Sequence, residues 1–205
     1  MADLKISQLS AATTPLDGTE VLPIVQSGST KQVSVANLTA GRDASVKALT
    51  ATGLITPAET IGVKGTTTNN NAQAGSVGEF ISSAVGSLIA MTSGVAQNAT
   101  SISLTAGDWD VTGNVGFLPA ATTSVSAIAG SINTTSATFN DNAQYSCQDY
   151  YSNVVPGSST TFYKPLPTLR LSLAATTTVY LVTRASFGVS AFYQGSCFIR
   201  ARRVR

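Results

Sequence analysis

A chain of 205 residues with 12 Lys plus Arg, 10 Asp plus Glu and no His has a formal net charge of +2. Charged residues make up 11%, under half of the roughly 25% usual for soluble domains, so polar surface has to come from the 25 Ser, the 28 Thr and the side-chain amides. The absence of His removes the commonest general base and metal ligand and argues against a Ser-His-Asp triad, a His zinc site or an H-E-x-x-H protease. The expectation is a protein without enzymatic activity, cofactor or metal.

No run approaches the roughly 18 apolar residues that cross a bilayer, so no membrane insertion is expected. Met1 to Lys5 lacks the apolar core and cleavage site of a secretory signal. The chain is therefore expected to be made in a cytoplasm, with Cys147 and Cys197 reduced.

In chain order, residues 1–40 read as a small module. Glu20 to Gln26 and Thr30 to Ala36 are β-prone runs separated by Ser27-Gly28-Ser29, a hairpin signal. Pro23 cannot donate to a ladder, which makes its strand an edge or a strand start. So small a piece cannot bury enough surface alone and needs a partner.

Residues 41–74 are rich in Thr, Ala, Gly and Asn and poor in large apolar side chains. They read as an extended spacer or shaft, able to span on the order of 100 Å.

Residues 75–205 alternate. Ser76-Val77-Gly78-Glu79 fits a helical capping box, but Gly75, Gly78 and Gly86 favour a strand over this segment. Ala99 to Leu104 leads to a turn at Ala106-Gly107. Beyond it Trp109, Val111, Val115 and Phe117 share one face, and Asp108, Asp110, Thr112 and Asn114 the other, which reads as a half-buried hairpin. Val125 to Ile132, the alternating Leu169, Leu171 and Leu173, Tyr180 to Arg184, and Cys197 to Val204 are further strands. The sum predicts an all-β fold whose C-terminal part is an antiparallel, jelly-roll-like β-sandwich.

Two stretches carry a resemblance. Lys5-Ile6-Ser7-Gln8-Leu9, with Gly18 to Gln26 and Thr30-Lys31-Gln32, resembles an opening module of tailed-bacteriophage appendage proteins. Gly78 to Ser83, with Thr100 to Val111, is similar to a region common in phage tail-fibre and related virion proteins. The resemblance covers about a third of the chain.

It implies a virion protein made in the host bacterial cytoplasm, a homotrimer anchored through its N-terminus to other proteins of the head, neck or tail. Anchoring would fall on Ile6, Leu9, Leu22, Pro23, Val25 and Lys31. The C-terminal domain would project towards host polysaccharide or protein. At this size a short tail fibre, head fibre or collar fibre fits. The alternatives are a capsid or collar decoration protein without receptor binding, and a short polysaccharide depolymerase.

Candidate chemistry is sparse. Asp108 and Asp110 stand about 6.5–7 Å apart on one strand face, a separation at which two carboxylates can hydrolyse glycosides. The preferred reading makes Asp108 the end of the Gly107 turn and Asp110 a solvated residue. Asn140 to Asn153 concentrates Tyr with amides and carboxylates, side chains that stack on and hydrogen-bond sugars or epitopes. Tyr145, Asp149, Tyr150 and Tyr151 are thus receptor-binding candidates, set against a reading in which the Tyr rings pack at a subunit seam.

Cys147 and Cys197 without His make a poor zinc site and are expected to be free buried thiols, the lesser alternative being an intramolecular disulfide formed after release from the host cell. Residues 1–149 carry five basic and ten acidic groups, and residues 150–205 carry seven basic and none acidic. The run Arg200 to Arg205 reads as a strand with a solvated basic tail that could meet acidic lipopolysaccharide or an acidic neighbour. No nucleic-acid motif accompanies it.

Overall fold

The computed structural model describes residues 21–34, 67–157, 160–188 and 190–205. Ile6, Leu9 and the spacer as far as residue 66 lie outside the described residues. The chain divides into two compact units, Met1–Thr66 and Thr67–Arg205.

In the first unit, β1 (Val21–Gln26) pairs antiparallel with β2 (Ser29–Ser34). Ser27 and Gly28 between them take φ of 52° and 75°, the left-handed pair of a two-residue turn whose twist suits a hairpin.

Every regular element described in the second unit is a strand. In order these are β3 (Phe80–Val85), β4 (Ile89–Ala90), β5 (Gln97–Leu104), β6 (Gly107–Pro119), β7 (Ser124–Asn133), β8 (Ser146–Val154), β9 (Phe162–Pro165), β10 (Leu169–Leu173), β11 (Thr177–Gly188), β12 (Phe192–Gln194) and β13 (Cys197–Arg203).

They form two antiparallel sheets. One runs β5-β11-β7-β8; the other runs β3-β13-β6-β12-β4, with β9 and β10 also on β6. The register shows that three pairs of short strands are broken single rows. β9 opposes Asn114–Phe117 and β10 opposes Gly107–Val111 of β6. On the other edge, β13 opposes Trp109–Asn114 and β12 opposes Phe117–Pro119, and β3 and β4 flank these in turn.

Counted as rows in chain order, the second sheet is therefore 1-8-3-6 and the first 2-7-4-5. That is the order of a jelly roll.

The alternation in β6 puts Trp109, Val111, Val115 and Phe117 inward, all fully buried. Across the gap lie Ile102 and Leu104 of β5, Ile128 and Ile132 of β7, and Val179 and Leu181 of β11. Burying each large side chain contributes on the order of 1.5–3 kcal/mol. Phe192 stacks on Phe187 at 4.7 Å and tilts against Phe117 at 5.9 Å.

One sequence expectation is overturned. β5 and β6 do not form a hairpin, because they lie in opposite sheets and Thr105-Ala106 carries the chain across the sandwich. Both strands bury the same core from its two sides, so each alternates as a hairpin partner would. A buried polar knot also crosses the sandwich: Thr183 of β11 bonds Gln194 of β12, and the Gln194 Nε2 donates to the Asn98 carbonyl at 3.2 Å. It sits where β5 and β11 slip register at Leu181/Val182.

Candidate binding surfaces

The hairpin displays apolar side chains on both faces. Paired residues point the same way, so Leu22, Ile24, Val33 and Lys31 share one face, and Val21, Pro23 and Val25 the other. Val25 is 77% exposed, Val21 52% and Leu22 43%. The four expected anchoring residues among those described thus divide between the faces, Leu22 with Lys31 and Pro23 with Val25.

The tyrosine tract is also divided. On β8, an edge of its sheet, alternation sends Cys147, Asp149 and Tyr151 towards the facing sheet. There the Lys164 ammonium of β9 pairs with the Asp149 carboxylate. The Tyr151 hydroxyl donates to Asp149 at 3.2 Å, and its ring meets Phe162 at 5.6 Å. Tyr145 packs against the core as well.

Three of the four candidate receptor residues are therefore tied into the closing of one open side of the sandwich, within a single chain. Tyr150 alone of the four turns outward, 77% exposed, beside Gln148 and Arg184 in a groove of about 270 Å³. The Arg184 guanidinium there lies over Phe139 at 4.2 Å and bridges to Asp141 at 2.9 Å.

Asp108 is neither solvated nor available as an acid. It is 2% exposed, its Oδ2 accepts from Arg170 Nη2 at 2.8 Å, and Arg205 reaches the same oxygen. The hydrogen bond from Arg170 above all holds this carboxyl below its ordinary range, against the opposing effect of burial. A carboxyl held towards its ionised form and engaged by two guanidinium groups is poorly suited to protonate a leaving group.

The basic tail is not simply solvated either. In β13 the alternation that buries Cys197, Ile199 and Ala201 also sends Arg203 inward, leaving it 5% exposed. Its Nε donates to Glu79 Oε2 at 3.0 Å, its Nη1 to the Ala106 carbonyl at 2.8 Å and its Nη2 to Thr105 Oγ1. Glu79 Oε2 accepts from Gly75 N–H too, at 2.8 Å, and that bond and the one from Arg203 hold the Glu79 carboxyl below its ordinary range.

The Trp109 indole N–H donates to the Thr105 carbonyl at 2.9 Å. Gly107, at φ +134°, leaves room that a side chain would take, since an added Cβ would lie 2.1 Å from Arg203 Nη1. Glu79, Thr105, Ala106, Gly107 and Trp109, from the two separated halves of the second resembling stretch, thus meet around one arginine.

What the sequence reading missed is the outer face of the β3-β13-β6 rows. Arg200 and Arg202 point outward there, opposite Thr112 and Asp110 in register. With Phe80 and Thr168 they line an open groove of about 340 Å³. The alternation of Arg200, Arg202 and Arg203 was readable from the apolar Ile199 and Ala201.

No family model matches the chain, and no curated protein matches it. Among solved structures, the chain is similar to one of the Gx strain of infectious bursal disease virus, with 10% identity and a TM-score of 0.38. It is similar to one of the Gt strain, with 14% identity and a TM-score of 0.33. A third is a crystal structure of the VP2 subviral particle of that virus, with 13% identity and a TM-score of 0.30. Each likeness covers 62% of this chain and 33%, 30% and 35% of the respective other chain, so this chain spans about a third of their length. The jelly-roll assignment rests on the strand order itself.

Proposed function

We propose that the chain is a structural protein of a tailed-bacteriophage particle, a short trimeric fibre or spike whose hairpin docks on the particle and whose jelly roll meets the host surface. Its action is binding, without covalent chemistry. The observation that carries this reading is the hairpin. Val21, Leu22 and Val25 stand exposed on a two-stranded sheet, which is marginal alone in water and is completed by a partner surface. The resemblance of Lys5 to Gln32 to phage appendage modules supplies the nature of that partner. Three copies would multiply weak contacts through effective concentration.

A second reading, a collar or capsid decoration protein that strengthens the particle without touching the host, draws on the inward turn of Tyr145, Asp149 and Tyr151. The ion pairs that engage Asp108 weigh against the third reading, a short polysaccharide depolymerase.

Two measurements test the proposal. Light scattering of purified protein is expected to give three times the 21.0 kDa chain mass; a monomer at micromolar concentration removes the trimer. Particles lacking the protein are expected to be stable but unable to adsorb. Particles that fall apart favour the decoration reading instead.

A further inference from the structure

We infer that the outer groove of the β3-β13-β6 rows is a binding site for an acidic saccharide, held by Arg200 and Arg202 with Asp110, Thr112, Thr168 and Phe80.

The first argument is charge. The sandwich carries seven cations, and five of them, Lys164, Arg170, Arg184, Arg203 and Arg205, are engaged in ion pairs. Arg200 and Arg202 form no ion pair among the described residues. Standing two apart on one strand, with Cα atoms about 6.5–7 Å from each other, they project two guanidinium forks from the same face of the sheet, where both can reach one carboxylate or phosphate and its neighbouring oxygen. Guanidinium forks match such groups bidentately.

The second argument is composition. A simple anion site would have no use for the other lining groups. Phe80, 42% exposed, offers a flat apolar face to the C–H side of a sugar ring. Asp110 accepts hydrogen bonds from ring hydroxyls and repels a ligand that is anionic throughout. Thr168 adds a hydroxyl donor and acceptor at the rim. Thr112 gives its own proton to the Leu166 carbonyl at 3.1 Å, so its oxygen is oriented to accept. Acid on one side, hydroxyls on the other and an apolar patch between describe a sugar carrying one acidic group. A volume of about 340 Å³ lies at the small end of ligand sites, roughly 300–1,000 Å³.

The third is rigidity. The groove floor is the centre of the sheet, with β6 paired on both edges and β13 paired to β3 and β6. Five of the six residues sit on strands and cannot drift apart, so little ordering is lost on binding.

The inference rests on the reading of the jelly roll as the host-facing part. Calorimetric titration of the full chain tests it without a particle, using a galactose trisaccharide carrying a uronic acid at one residue, the same trisaccharide carrying one phosphate instead, the uncharged galactose trisaccharide, inorganic phosphate and a short single-stranded DNA. At least one acidic saccharide is expected to bind, and which one identifies the acid as carboxylate or phosphate. The uncharged sugar, free phosphate and DNA are expected to bind at least about tenfold more weakly.

Arg200→Gln and Arg202→Gln should each weaken the acidic sugar by about tenfold with melting unchanged. Thr168→Glu, which keeps both arginines and adds a carboxylate at the rim, should weaken it similarly. No binding of either acidic saccharide, equal binding of phosphate or DNA, or binding indifferent to these substitutions overturns the inference. A failed titration leaves hairpin docking standing, whereas a protein located inside the particle with an intact titration removes the functional reading and keeps the groove.

Discussion

The guanidinium carbon of Arg203 lies 4.3 Å from the centre of the Trp109 ring, with the indole fully buried and the arginine nearly so. Cation–π attraction strengthens as water is removed, and here the cation is neutralised as well, by Glu79 at 3.0 Å. The three side chains join the ends of β13, β6 and the segment entering β3 at one end of the sandwich. A single residue thus latches strands more than 90 positions apart.

Arg203→Met fills the space but strands Glu79 as a buried unpaired charge, so a loss of about 3 kcal/mol is expected. Arg203→Lys keeps the charge but gives up the fork and the ring contact, and should fall between. Urea unfolding checks both; an unchanged midpoint in the Met variant would remove the latch.

Acid should open the same end. Gly75 N–H and Arg203 hold the Glu79 carboxyl below its ordinary 4.5, and Arg170 holds Asp108 below its ordinary 3.8. A depressed folded-state value means the stabilisation is complete above the unfolded value and lost as pH falls through the folded one. The melting temperature should therefore be level near neutrality and drop below about pH 4.5, with a shallower drop in Glu79→Gln. An identical acid slope in that variant would contradict the assignment.

Two glycines should behave oppositely. A Cβ at Gly116 would lie 2.2 Å from the Gly195 carbonyl oxygen, whereas one at Gly86 meets nothing within 4 Å. Gly116→Ala is expected to cost about 1–3 kcal/mol or to prevent soluble accumulation, and Gly86→Ala to be tolerated. Thermal melting of the two variants decides.

Both cysteines are free, and burial pushes both thiols up from their ordinary value. The thiolate is the reactive form. Iodoacetamide at neutral pH should therefore leave the folded chain largely unmodified and add two groups after denaturation, as read by intact mass. Rapid labelling of Cys147 in the folded chain would show that β8 opens.

Leu22→Glu with Val25→Glu should leave the main melting transition of the purified protein in place, since the hairpin belongs to the other compact unit. Incorporation into particles, measured by immunoblot of purified virions, should fall sharply. Normal incorporation would move docking elsewhere.

These tests also mark where sequence was informative. The alternation of Trp109, Val111, Val115 and Phe117 identified the buried face of β6 because period-two patterning is a local property. It could not name the partners of β6, which lie some 50 to 90 residues downstream, and so the Gly107 turn read as a hairpin. Asp149 and Tyr151 looked like receptor contacts because their composition is polar; Lys164 and Phe162, which satisfy them, belong to the other sheet. Arg203 was lost in a basic run although alternation with Ile199 and Ala201 already set it inward.

The position of β6 has a consequence in time. All four strands that pair with it, β9, β10, β12 and β13, begin at Phe162 or later. At ribosomal speeds of about 5–20 residues per second, β6 waits on the order of ten seconds before its last neighbour is made, the edge that takes β9 and β10 being filled before the edge that takes β12 and β13. During that interval Trp109 and Phe117 are the natural prey of chaperones and of other nascent copies. The strand that ends the wait, β13, brings Arg200, Arg202 and Arg203 together. A stalled or half-made chain thus offers no groove, and ligand binding would be a direct report that synthesis and closure have finished.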